Sequence, residues 1–290
     1  MFVEVNGIRL FFDVDGAGLV PDGSRMREKP TLILLHGGPG SDHSFFKPDF
    51  GQLADLAQVV YLDQRGNGRS ETGDPSTWTL AQWGDDVKGF CDALGIRRPI
   101  VLGLSFGGFV AQSYAVRHPG HPAGLILVST AARMDFAVVF DAFERFGGPA
   151  ARAAAEAYWS GPTPDIEVRY AALCQPLHTV HPARDPAAKR RVIQRDETTI
   201  RFGGVNKAQG RMDLRADLAA IRCPVLVMAG ERDPLTPIAF SEEIARCLPP
   251  HLVRFERFPD CGHAVQLDAP ERSFALMREF IAEFAYGQTA

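Results

Sequence analysis

Several short apolar runs in this chain lack the in-and-out alternation of a half-buried strand, and that absence restricts the fold more than any other feature. Residues 31–35, 58–62, 99–102 and 124–128 are rich in Leu, Ile and Val with almost no polar interruption. A strand that is apolar at every position has both of its faces covered, which points to a parallel sheet with helices on either side. Helical patterns between several of these runs supply the covering layers. Ahead of them, residues 2–5 and 8–14 are β-branched and aromatic around the turn pair Asn6 and Gly7, and read as a hairpin of antiparallel edge strands. With 290 residues, 46% of them hydrophobic, the chain can bury a large core and still carry an insertion.

An insertion is what the pattern then suggests. After Ser129 the strand rhythm stops, and from Ala131 to Asp213 the sequence turns rich in Ala, Arg and Phe at helical spacing. A structureless loop of that length is uncommon inside a compact domain, so a helical lid is expected. The rhythm resumes at 224–230 and 251–256 and closes with an amphipathic helix over 269–284. The expected organisation is a first core segment 1–130, a lid 131–213 and a second core segment 214–290.

Charge and cysteine content narrow the function. A net charge of −4 gives no concentrated basic face for nucleic acid or an anionic membrane. No apolar stretch approaches the ~20 residues needed to cross a bilayer, and the N-terminus lacks a basic region followed by an apolar run. Cys91, Cys174, Cys223, Cys247 and Cys261 are scattered, odd in number and without metal-ligand spacing, so they read as free thiols in a cytoplasmic protein. The expected partner is a small molecule or short peptide, with no metal.

The chemistry concentrates at Gly103-Leu104-Ser105-Phe106-Gly107-Gly108, between a buried strand and a helical stretch over 109–117. A serine on a sharp strand-to-helix turn needs small residues two before and two after it, and Gly103 and Gly107 stand there. Amides at the start of the helix favour negative charge developing beside the serine. A hydroxyl needs a positioned base, and His263, in a turn after the last strand, fits that role. The orienting carboxylate belongs at the carboxyl end of another strand, where Asp233 follows Gly230, with Asp260 as the nearest substitute. Serine, acid, histidine is the order this arrangement requires. The segment His36-Gly37-Gly38-Pro39-Gly40 follows the 31–35 strand, so the oxyanion hole is assigned to the amides of Gly38 and Phe106, with Gly37 as the fallback. His36 is expected to fix that loop through its ring, and Asp63 and Arg65 to brace it as an ion pair.

With these residues in place, the chain resembles the proline iminopeptidase branch of the α/β-hydrolases. The segments 36–40 and Asp63-Gln64-Arg65-Gly66-Asn67-Gly68-Arg69-Ser70 carry the likeness, which extends over both core segments. It implies an α/β-hydrolase fold with a mostly parallel sheet, a helical lid, the triad named above and no cofactor. Phe106 stands where that branch usually has tryptophan, as it does in esterases, lactonases and carbon-carbon hydrolases on the same core. The lid holds 12 Lys and Arg against 10 Asp and Glu, with Glu144, Glu156, Glu167 and Glu197 available to meet a substrate ammonium. The expected reaction is cleavage of a small amide, ester or lactone through an acyl-enzyme. An iminopeptidase is placed just ahead of an esterase or lactonase, and a non-catalytic ligand-binding protein stands as the alternative class. A cysteine or metal hydrolase ranks last.

Overall fold

The computed structural model describes residues 1–181, 185 and 187–286, so the last four residues of the second core segment lie outside it. Eight strands form one sheet in the order β1-β2-β6-β5-β7-β8-β9-β10. They are β1 (Phe2–Val5), β2 (Ile8–Asp15), β5 (Thr31–Leu35), β6 (Gln58–Leu62), β7 (Ile100–Leu104), β8 (Gly124–Val128), β9 (Val225–Gly230) and β10 (Val253–Phe258). A separate two-stranded ribbon, β3 (Leu19–Asp22) with β4 (Arg25–Glu28), projects between β2 and β5 and had no counterpart in the sequence reading. From β6 across to β10 every pairing is parallel. Only β1 is the antiparallel edge: β2 pairs on its other side with β6 and is interior, which corrects the expectation that both hairpin strands lie at the edge.

The apolar strand runs are explained by the two cores they face. Ile33, Leu35, Val60, Leu62, Val101, Leu125, Leu127, Val225 and Val227 belong to one cluster, whereas their neighbours Leu32, Leu34, Val59, Tyr61, Ile100, Leu102, Ile126, Leu226 and Met228 belong to the other. Successive side chains point to opposite faces, so each strand feeds both cores and has no polar side. Helices α1 (Leu80–Leu94) and α2 (Phe106–Arg117) cover the first face. The C-terminal helix of residues 270–286 covers the second, through Phe274, Met277, Phe280 and Ile281.

Between β8 and β9 the chain leaves the sheet. This insertion holds α3 (Phe136–Ser160), α4 (Pro164–Leu173), α5 (Ala188–Arg191), α6 (Asp196–Phe202) and α7 (Ala208–Arg211). After β9 comes α8 (Ile238–Cys247), and after β10 the short α9 (Val265–Asp268) precedes the C-terminal helix, α10 (Pro270–Tyr286). Among the described residues no helix is long and apolar enough to cross a membrane.

Candidate active site

Ser105 occupies the turn between β7 and α2 with φ 54° and ψ −117°, a conformation that costs a non-glycine residue energy and persists only where its surroundings hold it. Two bonds do so. Its amide donates to the Val128 carbonyl at 2.9 Å, and its carbonyl accepts from Thr130 Oγ1 at 2.8 Å. The flanking glycines are dictated by contact: a Cβ on Gly107 would fall on the carbonyl of Leu35, and one on Gly103 on the carbonyl of Gly107. Strand and helix can therefore approach only where neither has a side chain. Phe106 is fully buried, edge-on to Trp83 at 4.9 Å and to Phe202 of the insertion at 5.3 Å.

Two strands away, Asp233 lies in the turn after β9. Its Oδ2 accepts from His263 Nδ1 at 2.7 Å and from Thr236 Oγ1 at 2.7 Å. Its Oδ1 accepts from the amides of Leu235 at 2.8 Å and Thr236 at 3.0 Å. Burial alone would push this carboxyl up. The facing imidazole and the Thr236 hydrogen bonds outweigh it and hold Asp233 below its ordinary value, so it is an anion. Asp260, the substitute acid, is exposed and is not the partner of the ring. The loops abut because both give way at glycine: a Cβ on Gly230 would fall on the carbonyls of Gly262 and Cys261. With Nδ1 bound to the acid, Nε2 of His263 has no hydrogen-bond partner among the described residues. Among the described residues no hydrogen bond joins it to Ser105 Oγ. Thr236 carried a local signal, since an Asp whose side chain accepts from amides two and three residues on is a familiar turn device. His178 carried none, yet the fold sets its ring 6.5 Å from that of His263 and its carbonyl 2.7 Å from the His263 amide.

The loop after β5 brings Gly37 against the Ser105 turn: a Cβ there would sit 3.4 Å from Ser105 Cβ. His36 donates from Nδ1 to the Gly37 carbonyl at 2.7 Å and accepts the Gln64 amide at Nε2, 3.3 Å away. Burial lowers its pKa, which agrees with a neutral ring serving as both donor and acceptor. The insertion grips the same loop. Arg195 N donates to Gly40 O at 2.6 Å and Thr199 Oγ1 to Pro39 O at 2.7 Å. The expected Asp63–Arg65 pair does not form. Arg65 instead makes a buried bidentate contact with Asp86 at 2.7 and 2.8 Å, while Asp63 accepts from His43 Nδ1 at 2.7 Å and from the Arg69 amide at 2.8 Å. Near neighbours in sequence at 63 and 65 thus diverge, Arg65 entering a turn with its side chain on α1.

Asp42, His43 and Asp63 have ligand atoms within 4.8 Å of one another. Those atoms are already engaged, however: Asp42 receives Ser44 and the Arg69 guanidinium, and Asp63 receives His43. The cluster reads as a hydrogen-bonded brace. Burial pushes the Cys91 and Cys223 thiols up to about 12 and those of Cys174 and Cys261 up to about 11, so these are thiols at neutral pH and poor nucleophiles.

Fold and geometry together define a hydrolase of the α/β-hydrolase class. Residues 30–270 match the alpha/beta hydrolase fold family, and the chain belongs to it. It is 30% identical to RutD of Caulobacter sp. (strain K31), a protein named for a proposed carbamate hydrolysis, over 93% of this chain and 97% of that one. It is 37% identical to the proline iminopeptidase PfmaB of Pestalotiopsis fici, over 45% of this chain and 43% of that one. The proline iminopeptidase structure of Mycobacterium smegmatis superposes with a TM-score of 0.78 at 24% identity, covering 98% of each chain, and speaks to the fold alone.

Proposed function

We propose that this chain is a serine hydrolase acting through an acyl-enzyme, with Ser105 as nucleophile, His263 as general base and Asp233 as the acid that orients it. The observation that carries this reading is the 2.7 Å bond from His263 Nδ1 to a buried, anionic Asp233, made at the C-terminal ends of the parallel strands, the same end at which β7 delivers Ser105 on a strained turn. Ser105 Oγ attacks a carbonyl while His263 Nε2 takes its proton. The amides of Phe106 and Gly38, with Gly37 as the fallback for the latter, receive the developing oxyanion. His263 then protonates the leaving group and activates the water that releases the acid. Contacts such as that between Ser105 and Nε2 commonly close only once substrate is bound.

A small ester or lactone is the substrate class this reading favours. In the proline iminopeptidase branch that this chain resembles, lid carboxylates hold the substrate's ammonium, and a carboxylate already paired with a cation is poorly placed to do so. Of the acids considered for that role, Glu144 and Glu156 pair with Arg152, Glu197 with Arg201, and Glu167 is exposed. The iminopeptidase reading stays as the second, supported by the 37% identity to PfmaB over 134 residues. The two are separated by short-chain acyl esters and lactones set against aminoacyl amides including the proline amide. Turnover of esters alone, together with fluorophosphonate labelling lost in Ser105→Ala, is the expected result. Turnover of the proline amide would restore the second reading, and full activity in Ser105→Ala would overturn both.

A further inference from the structure

Asp268 ends α9, five residues beyond His263, and its carboxylate is buried with 9% exposure. The hydrogen bonds it accepts come from main-chain amides of two separate segments. Oδ2 receives Gly262 N at 2.7 Å, on the turn that carries His263. Oδ1 receives Val180 N at 3.0 Å and His181 N at 3.0 Å, and Oδ2 also lies 3.1 Å from Val180 N, all on the stretch of the insertion that follows α4. The next amide along, His263 N, donates back to His178 O at 2.7 Å. The dipeptide 262–263 is thus held between the insertion on one side and Asp268 on the other. It must be narrow there: a Cβ on Gly262 would stand 2.6 Å from His178 O. A carboxylate can accept several N–H bonds at once, and each such charge-assisted bond is stronger than a neutral one.

We propose that Asp268 is a positioning residue: its carboxylate ties the lid segment 178–181 to the Gly262–His263 turn and thereby fixes where the catalytic imidazole stands. The inference rests on the reading of His263 as general base. Asp233 sets the rotation of the ring through Nδ1, whereas Asp268 and His178 set the main chain from which the ring projects. Lid and base then move as one unit, and loosening the lid at 178–181 costs catalysis as well as coverage.

The test compares wild type with Asp268→Asn, which keeps the shape and one acceptor oxygen, and Asp268→Ala, which keeps none. Hydrolysis of a short-chain ester would be followed for kcat and KM separately, alongside amide hydrogen exchange at residues 180, 181 and 262. The expected result is a kcat graded from wild type through Asn to Ala, down by about a hundredfold in Ala, since misplacing a catalytic group by about 1 Å costs that much. KM should stay within about twofold, because the base contributes to the transition state and not to ground-state binding. Exchange should quicken at 180, 181 and 262 together. A residue that only stabilises the fold would lower the unfolding midpoint and leave kcat of the folded variant unchanged, and that outcome overturns the proposal, as does a fall in kcat without faster exchange at 180 and 181. If Ala does not fold, the Asn variant decides on the same criteria. Ser105→Ala run in parallel tells the two failures apart: an active Ser105→Ala sinks the serine-hydrolase reading itself, whereas an inert one with undiminished kcat in the Asp268 variants sinks only the role of Asp268.

Discussion

Acid should weaken this protein through His178, by an amount the packing allows one to work out. The ring is set among Phe143, Tyr170 and His263, and its Nε2 accepts the Tyr170 hydroxyl at 3.3 Å. Burial, reinforced by the neighbouring His263, lowers its pKa from 6.5 to about 3, against a smaller opposing pull from Asp233. The folded state therefore keeps the ring neutral where the unfolded chain would protonate it. Between those two values the unfolded state binds more protons, so stability falls as the pH drops below 6.5 and continues to fall toward 3. At pH 5 the penalty relative to pH 7.5 is about 2 kcal/mol for the full shift, and about 1 to 2 kcal/mol once the solvent retained at the exposed edge of the residue is allowed for. His178→Gln keeps an acceptor for Tyr170 and removes the titration. Urea unfolding of both proteins at pH 7.5 and pH 5 should show wild type losing about 1 to 2 kcal/mol more than the variant. The comparison is one of pH dependence, so any general destabilisation by the substitution cancels. Equal losses in the two proteins would refute the reasoning.

Two further changes probe the site. Asp233→Asn should leave the fold intact but lower kcat by about 10⁴, because the amide no longer holds the imidazole in the tautomer with Nε2 free; a loss below about tenfold in a steady-state ester assay would show that another group orients His263. Gly107→Ala would drive a methyl into the Leu35 carbonyl, which as backbone cannot step aside. Its urea midpoint should fall by the equivalent of about 3 kcal/mol, and an unchanged midpoint would mean that β5 and α2 are not packed as described.

Much of the scaffold was legible before any coordinates because it depends on local and periodic properties. The runs at 31–35, 58–62 and 124–128 are the strands β5, β6 and β8 to the residue, since a stretch apolar at every position can only lie between two covered faces. The glycines at 103 and 107 marked the Ser105 turn because the absence of a side chain is itself written in the sequence. Their place in turns just beyond strands singled out Asp233 and His263 from the other acids and histidines, and a 2.7 Å bond joins those two side chains.

What the sequence could not convey was partnership at a distance. Asp63 and Arg65 looked like a pair because they are close along the chain. The fold instead hands Arg65 to Asp86 and Asp63 to His43, and only the folded path of the backbone decides such a choice. The clasp of Asp268 on amides of 180, 181 and 262 was invisible for the same reason: a backbone amide is identical at every non-proline residue, so nothing in the letters says which one a carboxylate will meet. Composition and periodicity thus determined the strands of the main sheet and the tight Ser105 turn, though not the β3–β4 ribbon. Tertiary packing alone decided which loop ends touch, because it brings together groups that no sequence pattern links and selects among them by burial and reach.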